Sequence, residues 1–263
     1  MALESLRPRD VAPDYRSPYG IRFEVPEVDR LAGLDAFPWN DASAQAVLAA
    51  SDWYAPETEQ RYGSWGPRAR RYPAPTVTMD AATARERVVA VAAALIGLDY
   101  QHHHVPAWEP PPWWRHKTVR SGRQGAGVDC SNFLAFVFSY ALGVDLPTAI
   151  REQAALHRAP VEGRLWSSRV ELIEGDYDTL LARLQPADLV YVRSDAGPIS
   201  HVVLWLGSCG TGPSPTPLVI DAHGEGVLDA DRVEIPAGIR IRPYRRAGWY
   251  GRRTAFAHRI VTD

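Results

Sequence analysis

The residue best placed to do chemistry is Cys130, in the stretch GVDCSNFLAFVFSYALGV at 127–144. It stands at the start of an unusually apolar run, directly after Asp129, a residue type that caps helices. A cysteine in the first turn of a helix meets unpaired backbone N–H groups and the positive end of the helix dipole, and both favour thiolate over thiol. The same N–H groups can bind the oxyanion of a tetrahedral intermediate. The position predicts a nucleophile for acyl transfer.

The competing explanation is that Cys130 is a core residue, because free cysteine is among the most buried residue types. The polar neighbours Asp129, Ser131 and Asn132 argue against it, since they make the helix tip an unusual setting for a core side chain. A disulfide with Cys209, the other cysteine of the chain, would consume the thiol. A nucleophilic cysteine also needs a base, usually a histidine that the fold brings near.

His201 is the histidine best placed to be that base. It opens the buried-looking strand SHVVLWLG after a Gly-Pro turn, where it can face a helix packed across the sheet. A catalytic imidazole needs a partner that fixes its tautomer. The next strand, PLVIDAHG, offers Asp221 and His223, which share one face because side chains alternate along a strand. Either residue could reach the outer ring nitrogen of His201; otherwise Asp221 would be a strand-end charge and His223 a residue of the substrate cleft.

The sequence predicts two helices followed by a run of strands as the framework for these residues. Asp80 and Gly97 bound a predicted helix over 81–95, and Gly143 ends a second, mostly apolar and central helix over 130–142. The segments DLVYVRSD, HVVLWLG, PLVIDAHG, GIRIRPYR and AFAHRIVTD then predict short antiparallel strands. Helices first and strands afterwards indicate an α+β fold, with a meandering sheet packed on the central helix.

The N-terminal third has a different character. Residues 1–78 are rich in Pro, Arg and aromatic residues and show little periodicity, apart from a short helix predicted over 42–53. We expect this part to be an extension or accessory region, because its Trp and Tyr side chains need a surface to cover. Residues 79–263 are expected to form the catalytic domain.

The chain as a whole excludes several classes of function. Its 263 residues carry a formal net charge of −2, which gives no electrostatic reason to expect nucleic acid or an anionic membrane as partner. No stretch approaches the length of a membrane span, and the first residues lack the apolar core of a secretory signal. The sequence predicts a protein that is cytoplasmic or exported by a route it does not reveal.

Four motifs in order, VDCSNF, LQPADLVYV, SHVVLWLG and VIDAHG, resemble the NlpC-type cysteine peptidases of bacterial cell-wall metabolism. The resemblance covers roughly residues 81–263 and implies a papain-like fold that hydrolyses amide bonds of peptidoglycan stem peptides, often after a D-glutamate γ-carboxyl, without a cofactor. Cys130 then matches the nucleophile, His201 the base and Asp221 the third residue. Tyr100, together with Ser131 and Asp129, is expected to bind the oxyanion or substrate.

This sequence departs from the family pattern at several positions. Asn132 stands where the family has Gly, and Ala187 replaces another Gly. The family's Tyr-x-Trp-Gly-Gly element is reduced to Tyr100 followed by QHHH. The connector before Asp221 is longer than usual, which keeps the choice between Asp221 and His223 open.

The segment QHHHVPAWEPPPWW supports other interpretations. His102 and His104, with His116 or Glu109, could ligate zinc, but adjacent histidines in a Pro-rich loop lack the spacing of a helical zinc motif, so we expect no metal. Three tryptophans could instead form a cleft wall or pack on the domain; these are Trp108, Trp113 and Trp114. Two further functions use the same scaffold: an acyltransferase or transpeptidase with an amine acceptor, and a non-catalytic binding module.

Overall fold

The two main helices form where the sequence supplies their caps. The computed structural model describes Tyr19 and residues 42–115, 125–158, 170–207 and 215–262. The helices in these ranges are α1 (Pro56–Tyr62), α2 (Ala81–Ala94), α3 (Cys130–Leu142), α4 (Ile150–Gln153), α5 (Tyr177–Arg183) and α6 (Trp249–Arg253). Short 3-10 turns lie at Ala42–Gln45, Ala50–Asp52, Gly63–Trp65 and Leu156–Arg158. No helix within these ranges combines the length and apolar character needed to cross a membrane.

Helix α3 agrees with its predicted bounds, and α2 differs by one residue. The Asp129 carboxylate accepts the backbone N–H of Asn132 at 2.9 Å, the N-cap that the sequence predicted. At the other end Gly143 has φ 68° and ψ 18°, the left-handed conformation that terminates a helix. A side chain there would also run into the backbone of Ala74, because residues 73–74 cross the end of the helix.

The strands form one antiparallel sheet in the order β1-β6-β2-β3-β4-β5. They are β1 (Glu171–Ile173), β2 (Leu189–Arg193), β3 (Ile199–Gly207), β4 (Leu218–His223), β5 (Gly238–Pro243) and β6 (Thr254–Arg259). The predicted meander is correct for β2 to β5. It is incomplete at the other edge, where β6 returns beside β2 and β1 pairs with β6. The predicted α+β class, with an antiparallel sheet on a central helix, is confirmed.

Alternation along β3 divides the core between the two faces of the sheet. Val202 and Leu204 pack with α2 and α3 in the larger cluster, whereas Val203 and Trp205 belong to a second cluster on the opposite face. Helices α5 and α6 contribute to that second cluster. On β4, Ile220 and Ala222 belong to the larger cluster. Asp221 and His223 alternate with them along the strand, so these two residues lie on the second face of the sheet.

The helix predicted over 42–53 is wrong. The structure has two 3-10 turns there, separated by an isolated bridge between Ala46 and Ala69. Ala46 and Trp53 are buried in a third small cluster with Val105, and these tertiary contacts override the local helix propensity. Five further elements were not predicted, because each has seven residues or fewer and shows too little periodicity; these are α1, α4, α5, α6 and β1.

Residues 65–75 lie along α3. The Tyr72 ring packs edge-on against Tyr140 at 4.8 Å and against Phe136 at 6.0 Å, and its backbone N–H donates to Ser139 Oγ at 3.1 Å. Trp65 stacks on the His104 ring at 5.4 Å. This part of the N-terminal region is therefore packed against the helix that begins at Cys130.

Candidate active site

Cys130 is the first residue of α3 and is a free, buried thiol with 4% of its surface exposed. The cap residue Asp129 engages two N–H groups of the first turn: Asn132 N–H donates to its carboxylate, and Phe133 N–H donates to its carbonyl at 2.8 Å. The N–H groups of Cys130 and Ser131 take no part in these two bonds. The thiol thus lies at the positive end of the helix dipole, where an anion is stabilised.

His201, the third residue of β3, lies next to Cys130. The two side chains are hydrogen-bond partners, and the charge of the sulfur acts directly on the imidazole. The Nε2 atom of His201 is 2.5 Å from Asp221 Oδ2. Because Nε2 is occupied by the carboxylate, Nδ1 is the ring nitrogen left for the sulfur.

The partners of Asp221 fix which nitrogen of His201 carries the proton. Arg242 Nε donates to Oδ1 at 2.5 Å, and the Tyr250 hydroxyl lies 2.9 Å from Oδ2. A guanidinium can only donate, and its positive charge holds the pKa of Asp221 well below the ordinary value, so Asp221 is an ionised acceptor. Nε2 of His201 then carries a proton and donates it to the carboxylate, which leaves Nδ1 free to exchange a proton with Cys130.

Negative and positive groups follow one another from Cys130 through His201 and Asp221 to Arg242. Burial alone would lower the pKa of His201, but the charge on Cys130 and the hydrogen bonds of the imidazole to Asp221 and Cys130 raise it to about 10. Burial alone would raise the pKa of Asp221, but the Arg242 cation, followed by His201, holds it well below its ordinary value. The environment favours an imidazolium at 201 and a carboxylate at 221.

His223 lies beside this pair and makes a different contact. Its ring centroid is 5.0 Å from that of His201, and its Nδ1–H donates to the Gly224 carbonyl at 2.6 Å. Burial and then the positive charge of His201 lower the pKa of His223 to about 3, so the ring is neutral. The structure brings Asp221 to the outer nitrogen of His201 and gives His223 a neighbouring position against Trp249.

Asp129, Ser131 and Tyr100, which were expected to bind the oxyanion or substrate, lie at or next to the first turn of α3. Ser131 Oγ lies 2.7 Å from the Thr148 carbonyl and 3.1 Å from Asp129 Oδ1. Tyr100 is half-buried and lies close to Gly224; burial, and then the negative charges of Cys130 and Asp129, raise its pKa. Tyr100 is therefore a neutral phenol next to the nucleophile.

The histidines considered as zinc ligands bind the helix tip instead. His102 Nδ1 is 3.3 Å from Asp129 Oδ2, and His104 Nδ1 is 2.8 Å from Asn132 Oδ1. Asn132, the departure from the family's glycine, also donates to Asp129 Oδ2 at 3.0 Å. His116 lies outside the described residues.

The three tryptophans do not form a common wall. Trp108 and Trp114 are buried, with 0% and 2% of their surface exposed, and their rings contact each other at 5.3 Å. Only Trp113 offers a face to solvent, with 59% exposed. The structure does not place Trp108 and Trp114 in a cleft; they belong to a packed loop, because residues 46 and 53 cover them.

Among the described residues, one group of three side chains has metal-ligating atoms close together, within 4.8 Å: His201, Asp221 and His223. Asp221 already accepts from His201, Arg242 and Tyr250. The guanidinium at this carboxylate puts a positive charge where a metal cation would bind, which does not fit a metal centre.

Sequence reasoning missed Arg242 and Tyr250. Arg242 had a detectable signal, since GIRIRP puts an arginine at a position where a buried strand normally has an apolar side chain. Tyr250 gave no such signal in the sequence, because it lies 29 residues from Asp221 and only the packing of α6 brings the two together. Tyr19 also reaches this group, with its hydroxyl hydrogen-bonded to the Arg242 side chain.

A cysteine beside a histidine whose far nitrogen is held by a carboxylate is the arrangement that nucleophilic acyl transfer requires. Comparison with known families agrees: residues 118–253, more than half of the chain, match the model of the NlpC/P60 family. The chain belongs to the NlpC/P60 family. Members of this family are generally cell-wall peptidases, typically cysteine peptidases, and the predicted papain-like α+β fold is confirmed.

A solved structure is also similar to this chain. It is the crystal structure of a NlpC/P60 family protein from Bacillus cereus ATCC 10987, with 17% sequence identity and a TM-score of 0.41. The similarity covers 73% of this chain and 42% of that one, so this chain spans less than half the length of that protein. A search of curated proteins found no match.

Proposed function

We propose that this protein is a cysteine peptidase that hydrolyses amide bonds in peptidoglycan stem peptides through a thioester. The observation that carries the proposal is the chain of contacts from Cys130 to His201 and on to Asp221 at the first turn of a buried helix. Membership of a family of cell-wall peptidases supports the substrate class.

In the first half of the reaction the Cys130 thiolate attacks the scissile carbonyl carbon and forms the C–S bond. The imidazolium of His201 gives its Nδ1 proton to the amide nitrogen, the C–N bond breaks, and an amine leaves a thioester on Cys130. The Cys130 N–H, at the start of the helix, is placed to stabilise the oxyanion. Asp221 keeps Nε2 protonated throughout.

In the second half water replaces the amine. Nδ1 of His201, now neutral, takes a proton from water while the oxygen attacks the thioester carbonyl. The C–S bond then breaks, the carboxylic acid product leaves, and the thiolate–imidazolium pair is restored. The proton given to the amine is replaced by one from water, so the proposed cycle needs no metal or cofactor.

The direct test is mass spectrometry of defined muropeptides after incubation with the protein, with Cys130→Ala as the matched control. We expect one amide bond to be cleaved with the addition of one water, and no product from the variant. Cleavage that persists in Cys130→Ala would reject the nucleophile. A product that carries an added amine in place of water would identify the acyltransferase instead.

A further inference from the structure

We infer that Arg242 and Tyr250 are positioning residues of this site: they hold the Asp221 carboxylate ionised and oriented, so that His201 keeps its Nε2 proton and offers Nδ1 to Cys130. The inference rests on the proposed function and deepens it. Both side chains bond to Asp221 and act on His201 through that carboxylate. The Tyr250 ring also lies beside the His201 ring, with 6.2 Å between their centroids.

Both oxygens of the Asp221 carboxylate are held by hydrogen bonds. Its two oxygens accept from three donors: Arg242 Nε at 2.5 Å, the Tyr250 hydroxyl at 2.9 Å and His201 Nε2 at 2.5 Å. Asp221 and Arg242 are each 0% exposed, so water does not compensate for a missing donor. Arg242 is itself fixed, because its Nη2 donates to the Gly238 carbonyl at 2.9 Å. A carboxylate held at both oxygens cannot rotate away from the imidazole.

The charges give a second reason. The titratable and charged groups around His201 come from four elements, with Cys130 on α3, Asp221 and His223 on β4, Arg242 on β5 and Tyr250 on α6; Tyr100 faces Cys130 from its loop. In the thiolate–imidazolium state four of them are charged, two of each sign. Without the Arg242 cation the same state carries one uncompensated negative charge in a buried site, which is costly. The thiolate should then form only at higher pH.

The strand register supplies a matched control on the same strand. Arg240 stands directly opposite Asp221 in the β4–β5 pairing, while Arg242 stands opposite Val219 and reaches Asp221 diagonally. Arg240 is partly exposed and donates to the Ala237 carbonyl at 2.7 Å. Arg240→Met thus removes a nearby positive charge and leaves the three bonds to Asp221 intact.

The experiment measures the rate at which iodoacetamide alkylates Cys130 across pH, with the labelled peptide identified by mass spectrometry so that Cys209 does not contribute. We expect Arg242→Met to move the midpoint of alkylation up by about one pH unit, which is about a tenfold loss of rate below both midpoints. Tyr250→Phe should cause a smaller shift in the same direction. Arg242→Lys should restore part of the loss, and Arg240→Met should match the parent protein.

A merely structural role for Arg242 would lower thermal stability and leave the alkylation midpoint of the folded protein unchanged, and that result would overturn the inference. If Arg242→Met does not fold, Arg242→Lys and Tyr250→Phe test the same two contacts and keep both buried charges; parental midpoints in both of these variants would also overturn the inference. Alkylation needs no substrate, so the inference can fail while stem peptides are still cleaved. The inference about Arg242 and Tyr250 can also hold when stem peptides are not cleaved.

Discussion

The roles of individual side chains at this site follow from which atoms each can reach. Cys130 and His201 are in contact, and Asp221 occupies the other side of the imidazole. His223 is turned away from that bond, because its Nδ1 proton goes to the Gly224 carbonyl. This difference between the two candidates for the third role leads to a kinetic prediction.

Asp221→Ala is expected to lower kcat by about 10³- to 10⁴-fold, because His201 then loses the group that fixes its tautomer. His223→Ala should lower kcat by about tenfold or less, since the neutral ring only packs beside the pair. Steady-state kinetics on a muropeptide substrate gives both values. The reverse order of the two losses would transfer the third role to His223.

Cys130→Ala and His201→Ala should each abolish turnover, with kcat lower by about 10⁴-fold or more, because neither a thioester nor a proton transfer to the leaving amine can then occur. The same kinetic assay measures this, with circular dichroism to verify that both variants are folded. Full activity in either variant would reject its catalytic assignment.

At the scale of elements, α3 is held at both ends. Its beginning is fixed by Asp129, to which the loop residue His102 also connects, and its end by Gly143 under residues 73–74. The segment before α3 is fixed as well, since Gln101 N–H donates to the Val128 carbonyl at 3.3 Å. The helix that carries the nucleophile is therefore positioned by chain segments that are distant in sequence.

Gly143→Ala is expected to destabilise the fold by clearly more than about 1 kcal/mol, because a left-handed residue is strained and the new methyl group meets the Ala74 backbone. Urea unfolding measures the loss. A loss of about 1 kcal/mol, the cost of the left-handed conformation alone, would argue against the close approach of residues 73–74.

At the scale of the whole molecule, the buried histidines make stability depend on pH. His258, with 0% of its surface exposed, pairs with His157 at 2.8 Å between Nε2 and Nδ1. Arg158 donates to Nε2 of His157, so the His157 proton is on Nδ1 and points to His258. Burial and then His157 lower the pKa of His258 to about 3, the same value as for His223.

His258 and His223 have pKa values in the folded protein below the unfolded value of about 6.5. Below that pH the unfolded chain binds protons that the folded protein does not, so the stability that these neutral rings give is complete above about pH 6.5 and is lost as the pH falls. His201, with its raised pKa, contributes a constant amount below about pH 6.5. Between pH 7 and pH 5 the free energy of unfolding should fall by about 2 kcal/mol for each buried neutral histidine.

Urea unfolding at the two pH values tests this, and His258→Gln should reduce the fall by about 2 kcal/mol. Equal free energies of unfolding at pH 7 and pH 5 would show that the buried rings take up protons in the folded state.

Features of this protein that depend on neighbours along the chain could be predicted from the sequence. Helix caps and strand alternation act over a few residues, which is why α3 and the strands that carry His201 and Asp221 could be predicted. The order of the motifs also identified the family. The helix predicted over 42–53 failed because contacts with Ala69 and Val105 outweighed local propensity.

Which side chains meet depends on the tertiary structure. It placed Asp221 rather than His223 on His201, brought Arg242 and Tyr250 to the carboxylate, and buried Trp108. These contacts join residues that are 20 or more positions apart, and several donors compete for the same oxygens. The outcome depends on how the strands and α6 pack together, which no short stretch of sequence encodes.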